Sequence, residues 1–188
     1  MMKRLYQHLR NLRRREDGIA YVEFATSLPF LLALFMGSVE MTRFIIVSQK
    51  VEKSAVTISD VVSQSETIGV TQLNQLISAV GQVMQPYSFG NNGYVIISSV
   101  TKTGTNPPRV NWQYTGGGSW TQSSQVGSTG LTATLPNGLT LNDRDTVIIA
   151  EVYYNFQPML VSDVLTSKQL YRVAVFKPRL GDLQTLGS

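Results

Sequence analysis

The sequence predicts an α+β fold: a long N-terminal helix, half transmembrane and half amphipathic, packed on an antiparallel sheet with one additional helix. Three observations predict it. An apolar run near the N-terminus continues into a stripe of apolar residues at helical spacing. A second helical stripe ends at Pro86. Beyond it the pattern changes to period two, punctuated by glycine, proline and asparagine. The chain of 188 residues divides into a basic leader (1–18), a membrane-spanning segment (19–40), an amphipathic helical region (41–86) and a β-rich domain (87–188).

The leader holds all of the net charge. Lys3, Arg4, Arg10, Arg13, Arg14 and Arg15 stand against Glu16 and Asp17, giving +4, and the other 170 residues are neutral on side chains. A basic pI of about 9.4 therefore does not mark a nucleic-acid surface, because downstream of the leader no excess of basic residues is left to track a phosphate backbone. With no cysteine and one histidine, His8, the chain has no disulfide, thiolate metal site or cysteine nucleophile, and no His-based metal cluster. No cofactor and no enzymatic role are expected.

Residues 24–39, FATSLPFLLALFMGSV, carry no charge, and counting from Ile19 gives 21 residues interrupted only by Glu23. About 20 apolar residues as helix span a bilayer core of about 30 Å. Basic residues precede the run and Glu40 follows it, so the N-terminus is expected to stay cytoplasmic and the C-terminal part to be exported. Arg13, Arg14 and Arg15 are read as that topology signal. A cleaved secretory signal fits less well, since Met36-Gly37-Ser38 is a poor cleavage site.

Past Glu40, Phe44, Val47, Val51, Ala55, Ile58 and Val62 recur at spacings of three and four, which predicts one helix from about 19 to 64 with Pro29 kinking it or loosening a turn. The second helix is expected to start from Thr71 as N-cap and to bury Leu73, Leu76, Ile77, Val80, Val83 and Met84. Strands are predicted over 94–100, 110–114, 147–154 and 171–176, the third being central. Gly116-Gly117-Gly118 is expected to break the chain into a mobile loop over 115–130, anchored by Trp120. Leu131, Ala133 and Leu135 alternate before Asn137-Gly138, a hairpin signal. A helical turn is expected over 161–165. Glu151 is expected to pair with Arg172 across two strands, and Asp143-Arg144-Asp145 to form a solvated turn.

The junction at residues 13–24 carries the functional reading. A glycine, Gly18, closes the leader, an apolar stretch begins at Ile19, and a lone carboxylate, Glu23, sits fifth after the glycine. An ionisable residue in a membrane segment is costly, about 2.5–3.5 kcal/mol at the helix centre, and so invites a functional role. A cut after Gly18 would create an α-amino group at Ile19 for Glu23 of a neighbouring copy to pair with.

Gly18-Ile19-Ala20-Tyr21-Val22-Glu23-Phe24-Ala25, Leu28-Pro29, and Gly37 with Glu40 resemble the TadE-like proteins of the tight-adherence (Tad/Flp) pilus system, within the wider type IV pilin-like group. Tyr21 is bulkier than the small residues usual there. A looser similarity covers Tyr153-Tyr154-Asn155-Phe156-Gln157-Pro158 and a closing strand with Arg172 or Arg179. The resemblance implies a minor pilin or pseudopilin with a pilin-like fold. It implies cleavage between Gly18 and Ile19 by a prepilin peptidase, and assembly and register through Glu23 and Phe24. It also implies contacts with other pilins, minor pilins and the pilus assembly platform, and a part in adhesion or biofilm formation. Such a protein sits in a bacterial inner membrane with its C-terminal domain in the periplasm. An unprocessed single-pass scaffold of the same machine and a membrane-tethered ligand-binding domain are the alternatives.

Overall fold

The computed structural model of the chain describes residues 17–160 and 166–187. Helix α1 runs over Asp17–Ser63, 47 residues, and continues through Pro29. At 1.5 Å per residue it is about 70 Å long. Upstream of Pro29 the hydroxyls of Thr26 and Ser27 donate back to the carbonyls of Val22 and Glu23. Its two halves differ in what they touch. From 18 to 39 it is covered by almost nothing, whereas from Glu40 onward one face is buried.

The apolar stripe expected from the sequence is that face: Val47, Val51, Ala55, Ile58 and Val62 are buried, and Phe44 packs at its edge. Ser54, Ser59 and Ser63 share it. Small side chains let the helix backbone approach the sheet, and the Ser59 hydroxyl donates to the Ile148 carbonyl at 3.0 Å.

Helix α2, Val70–Met84, buries Leu73, Ile77, Val80 and Met84. It begins two residues earlier than a Thr71 cap allows. Gly69 is the N-cap, and the Gln72 side chain accepts its N–H at 2.7 Å, the N3-to-N-cap half of a capping box, which a threonine cap would not supply. A single-turn helix α3, Phe89–Asn92, follows, one more than expected.

Four strands form one antiparallel sheet: β1 Gly93–Thr101, β2 Arg109–Gly117, β3 Thr146–Phe156 and β4 Lys168–Phe176. The order is β2-β1-β3-β4, so β3 is flanked on both sides as its β-branched run predicts. Alternate residues face opposite ways. Val95, Ile97, Trp112, Ala150, Val152 and Tyr154 meet the two long helices, while Val100, Val110, Val147 and Ile149 form a second core on the far face.

The far face is covered by chain that the sequence reading treats as a mobile loop and a hairpin. Gly116 and Gly117 lie within β2, and Gly118 donates to the Gly93 carbonyl at 3.0 Å. A Cβ on Gly117, whose φ is +128°, would meet that same carbonyl oxygen at 2.9 Å, so close backbone approach rather than chain breaking explains the glycine. The following segment is tied down: Val126, Ala133 and Leu141 pack into the second core. Trp120 is half-buried. Residues 131–135 are not a strand but make a single bridge from Thr132 to Arg109, and Pro136–Gly138 is a 3-10 turn with Asn137 at φ 55°. The alternation of Leu131, Ala133 and Leu135 thus reports one packed edge, not a ladder.

Glu151 and Arg172 do not pair. Glu151 lies opposite Val173, and Arg172 opposite Val152, so the two side chains point to opposite faces. Glu151 is fully buried on the far face and accepts from the Gln125 N–H at 2.9 Å, from the Tyr171 hydroxyl at 3.1 Å and from Ser124. It pins the covering segment to the sheet. Arg172 reaches helix α1 instead, donating to Ser48 at 2.6 Å. The helical turn expected over 161–165 lies outside the described residues.

Candidate functional site

The candidate site is the uncovered half of α1 together with the turns where it joins the domain. Gly18 and Ile19 lie at the start of the described helix, and Glu23 and Phe24 follow about one turn later. All four are exposed, Phe24 at 59% and Ile19 at 60%. Among the described residues Glu23 has no ion-pair partner, so the structure places the four positions on one short stretch of helix without bringing them to a fifth group. Arg13, Arg14 and Arg15 lie outside the described residues.

Large apolar side chains ring the segment: Tyr21, Phe30, Leu34 and Phe35 are each more than 60% exposed. Such a surface is far larger than a water-soluble chain normally leaves open, and marks an interface with lipid or protein. The helix is long and apolar enough to cross a membrane, and its apolar stretch is almost wholly uncovered. Residues 19–39 alone would span about 32 Å at helical rise, against a bilayer core of about 30 Å.

Glu40 ends this segment and begins the packed one. It is only 3% exposed. One carboxylate oxygen accepts from the Arg43 guanidinium at 2.9 Å, and the other from the backbone N–H groups of Met159 and Leu160 at 3.2 and 3.1 Å. Arg43 in turn lies over the rings of Tyr87 and Phe156, at 6.0 and 5.8 Å. The carboxylate thus fastens the turn after β3 to the helix at the point where the apolar half emerges. Sequence reasoning used Glu40 only as a charge flanking the apolar run and as part of a motif. Its spacing of three from Arg43 was the available signal of a local pair, but the two amides it holds are more than a hundred residues away and leave no sequence trace.

Far from this site, Asp145 accepts from Lys177 and from the Asn142 N–H, which hold its carboxyl below the usual carboxylate range. Asp143 accepts from the Gly104 N–H. These contacts make the Asp143-Arg144-Asp145 segment a hydrogen-bonded turn. Among the described residues no group of three or more His, Cys, Asp or Glu side chains could hold a metal ion.

Residues 18–57 match the family model described as TadE-like protein. The chain carries a TadE-like N-terminal region. The matched stretch starts at the glycine singled out above and runs through the uncovered half of α1, Glu40 and the first four turns of the packed half. It connects the chain in general terms with the Tad pilus system, in agreement with the resemblance read from the sequence. Comparisons with curated proteins and with solved structures found no match.

Proposed function

We propose that this chain is a minor pilin or pseudopilin subunit of a Tad-type pilus, a building block rather than an enzyme. It is inserted in a bacterial inner membrane by residues 19–39, with its N-terminus in the cytoplasm and its β-rich domain in the periplasm. The observation that carries the reading is an overlap. The TadE-like match begins at Gly18, and the stretch of α1 that follows is the stretch its own domain leaves uncovered.

A prepilin peptidase hydrolyses the Gly18–Ile19 peptide bond in this account. Gly18 presents no side chain, and a Cβ there would meet nothing within 4 Å, so its requirement lies with the peptidase and not with the fold. Hydrolysis leaves a cationic amine on Ile19. Glu23, exposed one turn further on, then pairs with the amine of an adjacent subunit as the apolar helices pack, and Phe24 packs beside it. Burying such a pair gains little net stability but selects one register over its slips.

The chain has no cysteine, so single introduced cysteines report topology cleanly. In the uncleaved Gly18→Leu background, which keeps the leader, a membrane-impermeant maleimide added to intact cells with a permeabilised outer membrane should label Leu131→Cys and spare Lys3→Cys. The opposite pattern rejects the orientation. Gly18→Leu should accumulate unprocessed precursor, and Glu23→Ala should insert normally but fail to enter the assembly. Normal maturation of the first or normal incorporation of the second counts against the proposed roles.

A further inference from the structure

Where α1 passes from its uncovered half to its packed half, an open cleft of about 310 Å³ lies between the helix and the adjoining ends of β3 and β4. Gly37, Met41 and Phe44 form the helix wall, Phe156 and Pro158 the opposite wall, and Lys168 stands at its edge. The end is closed by Phe44 and Phe156, whose rings meet edge to face at 5.4 Å. Three features bear on what fills it.

The cleft is apolar and continuous with the uncovered segment, since Gly37 is the last but two of residues 19–39. If that segment spans the bilayer core, the cleft lies at the boundary between acyl chains and headgroups. Gly37 also leaves the helix wall open, because a Cβ there would meet nothing within 4 Å. Finally, the cation at the rim among the described residues is Lys168. The Lys168 ammonium lies 5.3 Å from the centre of the Phe44 ring and its side chain is exposed. The carboxylate of Glu40 also borders the cleft, but it is occupied by Arg43 and by two backbone amides.

We infer that this cleft binds one membrane phospholipid with an anionic headgroup, the upper part of an acyl chain lying along Met41 and Phe44 and the phosphate on Lys168. An apolar slot with, among the described residues, Lys168 as the cation at its mouth complements an amphiphile with an anionic headgroup, and membrane proteins hold such headgroups by basic side chains. A lipid seated there would fix the tilt of the domain on the membrane surface before assembly. The inference rests on the membrane-spanning reading of residues 19–39.

The test uses the full chain purified in detergent and examined by native mass spectrometry with added phosphatidylglycerol or phosphatidylcholine. The wild type should retain one phosphatidylglycerol several-fold better than phosphatidylcholine. Lys168→Gln should abolish that preference and Lys168→Arg should keep it. Gly37→Leu, which fills the cleft from an open position, should lower retention of both lipids without changing the melting temperature. Equal retention of the two lipids by the wild type, or unchanged retention in the variants, overturns the inference. So does a dimer that Gly37→Leu abolishes and that forms in place of the lipid adduct. Flotation with phosphatidylcholine vesicles separates the two claims. A chain that does not float loses the membrane reading, whereas one that floats but retains no phosphatidylglycerol loses only the lipid site.

Discussion

Replacing Glu40 by alanine should loosen the domain from its helix. The side chain is 3% exposed and receives three hydrogen bonds, one from Arg43 and two from the amides of Met159 and Leu160. Hydrogen bonds to a charged group contribute about 1.5–3 kcal/mol each, so a simple sum would exceed 4 kcal/mol. The sum is too large here. Arg43 keeps its aromatic contacts with Tyr87 and Phe156 and is 22% exposed, so its charge can rehydrate. The two amides are part-buried and can reach water after a small movement of the turn. A cost of about 2–4 kcal/mol follows, at or below the roughly 3–5 kcal/mol for removing one partner of a fully buried pair. For a domain of this size each kcal/mol lowers the melting temperature by about 2–4 °C, giving a fall of about 4–16 °C. Thermal unfolding of the full chain in detergent, followed by near-UV circular dichroism, measures it. Hydrogen exchange localises the effect, with the Met159 and Leu160 amides exchanging faster in Glu40→Ala while the β1–β3 ladder is less affected. A melting temperature within about 2 °C of wild type, with unchanged exchange at those two amides, would refute the claim that Glu40 fastens the turn.

Two further outcomes follow from the charge environment. The Asp145 carboxyl is held below its ordinary value of 3.8, chiefly by Lys177 and the Asn142 N–H, so its stabilising contribution is full above pH 3.8 and is lost as pH falls through the lower folded value. Unfolding of wild type and Lys177→Ala should therefore differ at pH 5 and converge toward pH 2, and a difference that persists at pH 2 would assign the effect to packing. The Tyr153 and Tyr171 hydroxyls are both pushed up from 10, first by burial and then by the nearby Glu151 carboxylate, and Tyr154 is raised mainly by burial. Absorbance titration at 295 nm should show part of the eight tyrosines still protonated well above pH 10, with stability falling as pH rises past 10 because only the unfolded chain ionises freely there. A single transition near pH 10 for all eight, with the fold intact, would contradict that environment.

The legible parts of this fold are the ones that repeat. The stripe from Phe44 to Val62 and the set from Leu73 to Met84 each recur over several helical turns, and the β-branched run in β3 marks a strand buried on both faces. The illegible parts are single contacts between residues far apart in the chain. Nothing near Glu151 in the sequence announces that its partners are Ser124, Gln125 and Tyr171, and pairing it with Arg172 failed by a register of one residue, which reverses the face. The segment after Gly118 reads as mobile because its composition is polar and glycine-rich, yet that same composition lets it lie flat across the sheet, held by side-chain and backbone hydrogen bonds around the packing of Val126 and Ala133. For the candidate site the division is similar. Gly18, Ile19, Glu23 and Phe24 stand in a local motif and could be read directly, whereas the role of Glu40 depends on two amides at the other end of the chain.

The proposed function turns on cleavage between Gly18 and Ile19 and on the uncovered segment of α1 that follows. N-terminal sequencing of the protein recovered from the inner-membrane fraction tests it most directly. Sequence beginning at Ile19 is the predicted result. Sequence beginning at Met1, in cells whose prepilin peptidase is active, would contradict it.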